Sequence, residues 1–170
     1  MFKKILVPLD GSPSATAALT MALKLAQAFQ SQLTLLHVGS LKTVLPLKRY
    51  ERLQQITPEE LTRFITITRD AGFTILEQGR QLVEAAGLPV KTIFKEGHPG
   101  LEIVRIARER GSDLIVLSAK GVSQIKELRL GSTSDQIVRN APCTVMVYKT
   151  PESRSSKSRA LARASEVQQS

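Results

Sequence analysis

The chain reads as an α/β fold: an open, doubly wound, mostly parallel five-stranded sheet with four helices. Three observations predict it. Short apolar runs such as Ile5–Leu9, Leu33–Val38 and Leu114–Leu117 alternate with longer segments whose apolar residues recur every three or four positions. Leu114–Leu117 is apolar without alternation, as a strand covered on both faces requires. Turn chemistry marks the strand-to-helix junctions: Asp10-Gly11-Ser12-Pro13, Gly97-His98-Pro99 and Gly131-Ser132-Thr133. Right-handed crossovers then place helices on both faces, and a ligand sits beyond the carboxyl ends of the strands, where the strand order reverses.

Lys3–Leu9 is strand one, and Pro8 near its end is tolerated if its missing N–H faces away from the ladder. Gly11 supplies the bend after it, Ser12 the N-cap and Pro13 the first helical position. Ala18, Leu19, Ala22, Leu25, Ala26 and Phe29 give that helix an apolar face to about Gln30, with alanines small enough for close packing on a sheet. Gln32–Val38 is strand two. A long connection, 39–56, carries Lys42, Lys48, Arg49 and Arg52, and loops of that length are functional or mobile. Thr57-Pro58-Glu59-Glu60 opens the second helix as a capping box; the helix runs to about Ala86, with Gly72 and Gly79 as weak points and Gly87 as its stop. Leu88–Phe94 is strand three. The helix after Pro99 carries Leu101, Val104, Ile106 and Ala107 and ends at Gly111; the last helix is broken by Asn140-Ala141-Pro142 ahead of strand five, Cys143–Tyr148.

At 170 residues and 42% hydrophobic content the chain suits one core. The division expected is a domain over 1–150 and a flexible Ser/Arg-rich tail over 151–170. No segment is long enough to span a bilayer, and the apolar run after Lys3 and Lys4 is too short for a signal peptide. The single cysteine, Cys143, excludes an intrachain disulfide and fits a reducing compartment, so the cytoplasm is the expected location. Net charge is +9, yet the last twenty residues hold only Arg154, Lys157, Arg159 and Arg163 against Glu152 and Glu166, so most of it is spread over the body. With aromatics at 4% and no Trp, stacking platforms for nucleic acid are few, and a basic soluble surface is the simpler reading.

The stretch from Asp113 to Thr133 organises the chemistry. A buried strand opens into a loop holding Lys120, Gly121, Lys126 and Arg129 and ends on a hydroxyl-bearing helix start, Gly131-Ser132-Thr133. Helix starts offer unpaired N–H groups and a positive partial charge, which suit a phosphate. For the three cations, a solvated loop and a charge partner for phosphate stand as alternatives. His37 and His98 lack Cys, Asp or Glu at ligand spacing, so no metal site is assigned. No Ser/His/Asp or Cys/His constellation and no paired carboxylates appear, so no catalytic residue is assigned either.

From Ser118 the spacing is Ser-x2-Gly-x9-Gly-Ser, which resembles the Gly-x2-Gly-x9-Gly-Ser/Thr nucleotide signature of the universal stress protein family. Ile5–Ser12, Gly97-x-Pro99, Asp113–Val116, Gly131–Thr133 and Ile137–Cys143 resemble the family as well, so the likeness covers roughly residues 1–149. The resemblance implies a Rossmann-like sheet of order 3-2-1-4-5, a homodimer paired through the last strand, 143–149, and an adenine nucleotide ligand: ATP, with Mg accompanying it, AMP, or a cyclic nucleotide. The residues expected at that ligand are Pro8, Asp10, Val38, Gly97, Ser118, Lys120, Gly121, Gly131, Ser132 and Thr133; the resemblance puts Asp10 near ribose and adenine, Val38 at the adenine edge through its backbone, and Gly121, Gly131, Ser132 and Thr133 on the phosphates. Ser118 departs from the pattern: its Cβ crowds a ribose or phosphate, or its hydroxyl bonds to one.

These observations predict a cytoplasmic dimeric sensor or regulator in a stress response, acting on an unidentified protein partner, with no turnover beyond slow ATP hydrolysis. Two alternatives stand beside it: an interaction protein of the same fold that binds no nucleotide, and a basic binder of nucleic acid or acidic partners. Nucleotide occupancy would order the 39–56 connection.

Overall fold

The computed structural model describes residues 1–41, 56–119 and 130–149. Within them the chain runs β1 (Lys4–Pro8), α1 (Pro13–Phe29), β2 (Gln32–Gly39), α2 (Pro58–Ala85), β3 (Val90–Glu96), α3 (Pro99–Arg110), β4 (Leu114–Ser118), α4 (Ser132–Asn140) and β5 (Thr144–Tyr148). The five strands form one sheet of order β3-β2-β1-β4-β5. Every pairing among the described residues is parallel.

The alternation of strand side chains divides the core in two. Ile5, Val7, Leu9, Leu33, Leu35, Leu114 and Val116 pack beneath α1 and α2 with Ala15, Ala18, Leu19, Leu76 and Val83. Leu6, Leu36, Ile115 and Leu117 pack on the opposite face with Ile103, Ile106, Ala107 and Ile137 of α3 and α4. Each fully buried Leu or Ile contributes about 1.5–3 kcal/mol of transfer free energy. Four of the six alanines of α1 (Ala15, Ala18, Ala22 and Ala26) are buried and hold that helix close to the sheet.

Local signals set the helix ends. Ser12 caps α1, its hydroxyl accepting from Ala15 N–H at 3.1 Å, with Pro13 in the first turn. Thr57 and Glu60 close a reciprocal capping box on α2. Gly111 caps α3 in the left-handed region.

Several expected boundaries move. β1 is one residue shorter at each end, β3 runs Val90–Glu96 because Pro89 has no N–H for a ladder, and β5 begins at Thr144, after Cys143. Gly72 and Gly79 are not weak points: α2 runs unbroken across both. They are close approaches instead. A Cβ on Gly72 would lie 2.6 Å from His37 Cδ2 and against the Phe94 ring, and one on Gly79 would lie 2.7 Å from Leu9 Cδ1. Glycine there lets a 28-residue helix lie against β2 and β3.

The strand order reverses between β1 and β4, since β1 leads outward through β2 to β3 while β4 leads to β5. The carboxyl ends of β1 and β4 therefore flank the switch point.

Candidate functional site

Elements and their turns carry the described residues of the expected site to one rim. Pro8 closes β1, and Asp10 follows in a turn whose Gly11 has φ +81°, a left-handed conformation that a side chain would strain. Asp10 Oδ1 accepts from Ser12 N–H at 3.0 Å and from Ser12 Oγ–H at 2.6 Å, so the carboxylate is tied to the first residues of α1. Ser12 Oγ also lies 2.9 Å from Ser14 Oγ. Val38, half-buried, is the next-to-last residue of β2, and its register partner on β3 is Lys95. Gly97 extends the β2–β3 ladder, its N–H donating to the Gly39 carbonyl at 3.0 Å. At φ +147° it turns the chain sharply into α3.

Across the switch point, Ser118 ends β4 as a buried residue. Ala119 N–H donates to the Tyr148 carbonyl at 2.9 Å, and Gly131 N–H donates to the Ala119 carbonyl at 3.0 Å. The two ends of the glycine loop are thus joined, although Lys120, Gly121, Lys126 and Arg129 lie outside the described residues. Gly131 is the N-cap of α4, followed by exposed Ser132 and half-buried Thr133. Ser134, in the first turn, is buried and donates from Oγ to the Ser118 carbonyl at 3.0 Å.

This arrangement suits an anion. Gly131 has no side chain with which to cap α4, and among the described residues no side-chain cap bond forms there; the same holds at α3, in contrast to α1 and α2. The start of α4 is fixed against the end of β4 by Ser134, a residue that the signature does not contain. Its sequence signal is weak, a third hydroxyl after Gly131, because nothing local reveals that it faces the preceding strand.

His37 lies against α2 at Gly72. It is buried, its Nδ1 lies 2.7 Å from the Leu9 carbonyl, and its ring stacks on Phe94 at 6.0 Å between centroids. Burial holds its pKa below the ordinary 6.5, against the opposing effects of the Leu9 carbonyl and the Asp10 charge. Among the described residues no group of three His, Cys, Asp or Glu converges to hold a metal. Cys143 is half-buried beside the α3–α4 core, and its thiol is pushed up by burial and by Asp113, so it is a packing residue. No described helix is long and apolar enough to cross a membrane.

Comparison with known proteins agrees with this geometry. A family model described as the universal stress protein family matches residues 1–149. Universal stress protein YxiE of Bacillus subtilis is 32% identical over 149 residues, covering 88% of this chain and all of its own length. Among solved structures, UspA of Lactobacillus plantarum is 32% identical with TM-score 0.66, covering 86% of this chain and 97% of its own. Protein MJ0577, a universal stress protein of Methanocaldococcus jannaschii, superposes with TM-score 0.69 at 31% identity, covering 90% and 99%. Two solved structures at lower identity share the fold: a universal stress protein in complex with cAMP (21%, TM-score 0.60, covering 87% and 97%) and a family protein of Arabidopsis thaliana with AMP bound (19%, TM-score 0.61, covering 86% and 91%). With the sheet order, the rim and the family match in agreement, the chain belongs to the universal stress protein family.

Proposed function

We propose that the chain binds an adenine nucleotide across the β1–β4 switch point and serves, as a homodimer, as a sensor or regulator in a stress response. The observation that carries this is the start of α4. Among the described residues no side chain caps α4, so Ser132 and Thr133 present first-turn amides, at a helix end fixed to β4 by Ser134. The relatives crystallised with cAMP and AMP supply the ligand class.

In this reading the Val38 backbone meets the adenine edge, and Pro8 and Asp10 lie beside adenine and ribose. Gly97 allows close approach from the β3 side. Ser118, Lys120, Gly121, Gly131, Ser132 and Thr133 hold the phosphates. Mg would arrive with the phosphates of ATP, because the described residues hold no metal cluster of their own. No residue is assigned to hydrolysis, so turnover is slow or absent. The site belongs to the 1–150 domain, residues 151–170 lie outside the described residues, and the cytoplasm is the setting. The regulatory partner is a protein that reads nucleotide occupancy.

Gly131 provides the test. Its φ of −60° and ψ of 152° are open to any residue, and Asp is a favoured N-cap. Gly131→Asp should therefore keep or slightly raise the thermal midpoint while setting a carboxylate where phosphate binds. Calorimetric titration with ATP, AMP and cAMP should give saturable heat for the wild type and a loss of about tenfold or more in affinity for Gly131→Asp. Equal binding by the two proteins would place the phosphates elsewhere.

Ser118 favours a second reading, an interaction protein of this fold without nucleotide, because a buried serine stands where the family signature has its first glycine. Absence of heat with all three nucleotides would select it.

A further inference from the structure

The β1–β2 ladder ends one rung early, and a side chain stands at the missing rung. Leu9 N–H donates to the Leu36 carbonyl at 2.8 Å, so Leu36 turns its backbone polar groups toward β1. Val38, two residues on, must turn its N–H and C=O the same way. The next parallel rung would run from Val38 N–H to the Leu9 carbonyl. Among the described residues that rung is not made: the Leu9 carbonyl accepts from the imidazole of the intervening residue, His37, at 2.7 Å. A carbonyl oxygen only accepts, so Nδ1 carries the hydrogen. The ring has little freedom to leave. It is buried, stacked on Phe94 at an interplanar angle of 18°, and backed by α2 at Gly72, where even a Cβ would press on Cδ2.

We propose that His37 is a positioning residue for nucleobase recognition: by occupying the Leu9 carbonyl it keeps the Val38 amide out of the ladder and presents it, beside the Val38 carbonyl, at the rim. A donor and an acceptor side by side match the N1 acceptor and N6 donor on the adenine edge and oppose guanine, whose N1–H and O6 have the reverse polarity. The same imidazole anchors Leu9, whose next residue is Asp10, and so fixes the turn that Ser12 also holds. This inference rests on the adenine-nucleotide reading and adds to it the residue that shapes the base-reading edge.

Two substitutions separate the donor from the ring. His37→Phe keeps an aromatic ring beside Phe94 and removes the donor, freeing the Leu9 carbonyl to take Val38 N–H. His37→Asn sets an amide N–H near the position of Nδ1. Calorimetry with AMP and GMP should show AMP affinity reduced by about tenfold or more in His37→Phe, with the AMP-over-GMP preference falling, while His37→Asn stays within about threefold of wild type. Amide exchange without ligand reads the ladder itself. In the wild type Val38 N–H should exchange at least about tenfold faster than Leu36 N–H, and His37→Phe should slow it.

Unchanged AMP affinity in folded His37→Phe, or a His37→Asn loss as large as that of Phe, would overturn the proposal. Should His37→Phe not fold, His37→Asn and the wild-type exchange rates still decide, since a Val38 amide as protected as that of Leu36 contradicts it. If the wild type binds no AMP, the adenine reading fails along with the base-recognition role, whereas fast Val38 exchange would still show the early end of the ladder.

Discussion

Single residues at the rim are fixed by contacts that substitutions can address one at a time. Gly72 is held between two rings, because an added methyl meets the His37 ring and Phe94 together. Gly72→Ala gains helix propensity of about 1 kcal/mol but overpacks at a cost of about 1–3 kcal/mol. The expected outcome is a lower midpoint in chemical denaturation, with more rapid exchange of the β2 amides near His37. His37 also carries a pH dependence of known sign. Burial lowers its folded pKa below 6.5, so the unfolded chain binds the proton more readily. Its contribution to stability is therefore complete above the unfolded value of 6.5 and declines as pH falls from there toward the lower folded value. Urea midpoints measured between about pH 8 and pH 5 should fall at the acid end for the wild type and fall less for His37→Asn, which does not titrate in that window. At Ser12, removal of the hydroxyl takes away both the α1 cap and a donor to Asp10. Ser12→Ala should cost about 1 kcal/mol, in the range of other lost caps.

At the level of elements, the two edges of the sheet differ. β3 carries Lys91, Lys95 and Glu96, charges of the kind that discourage edge pairing, whereas β5 reads Thr-Val-Met-Val-Tyr with none. The Tyr148 carbonyl accepts from Ala119 N–H, so the even-numbered residues of β5 turn their backbone toward β4, and Val145 and Val147 turn theirs to the open edge. Val145→Pro or Val147→Pro would then remove an outward N–H without touching the β4–β5 ladder. If the proposed homodimer forms through β5, either variant should elute as a monomer in size-exclusion chromatography with its circular dichroism intact; an unchanged dimer would put the interface elsewhere. Most elements were legible because each strand–helix junction carries its own punctuation: Ser12-Pro13, the Thr57–Glu60 box and Gly111 act locally, within one turn. The roles of Gly72 and Gly79 are illegible in the sequence for the opposite reason. A glycine inside a helical pattern looks like a break until the neighbouring strand is in place, and only the packing of α2 on β2 and β3 shows a close approach.

For the whole molecule, topology gathers residues separated by more than 120 positions, from Pro8 to Thr133, onto one side of a parallel sheet. That gathering was legible because the crossover rule needs only the order of elements. The His37–Leu9 bond and the Ser134–Ser118 bond were not, since both join a side chain to a backbone carbonyl on another element or turn and leave no spacing pattern in the chain. The positive charge, spread over the body, adds long-range attraction for a phosphorylated ligand without specifying it. The central claim, an adenine nucleotide seated between the ends of β1, β2 and β4 and the start of α4, is tested most directly by titrating isotopically labelled protein with AMP and following backbone amide resonances. The account predicts saturable shifts at Asp10, Val38, Ser132 and Thr133, with residues at the opposite end of the sheet such as Ser31 and Asp113 unmoved. Shifts confined to other surfaces, or none at saturating AMP, would contradict it.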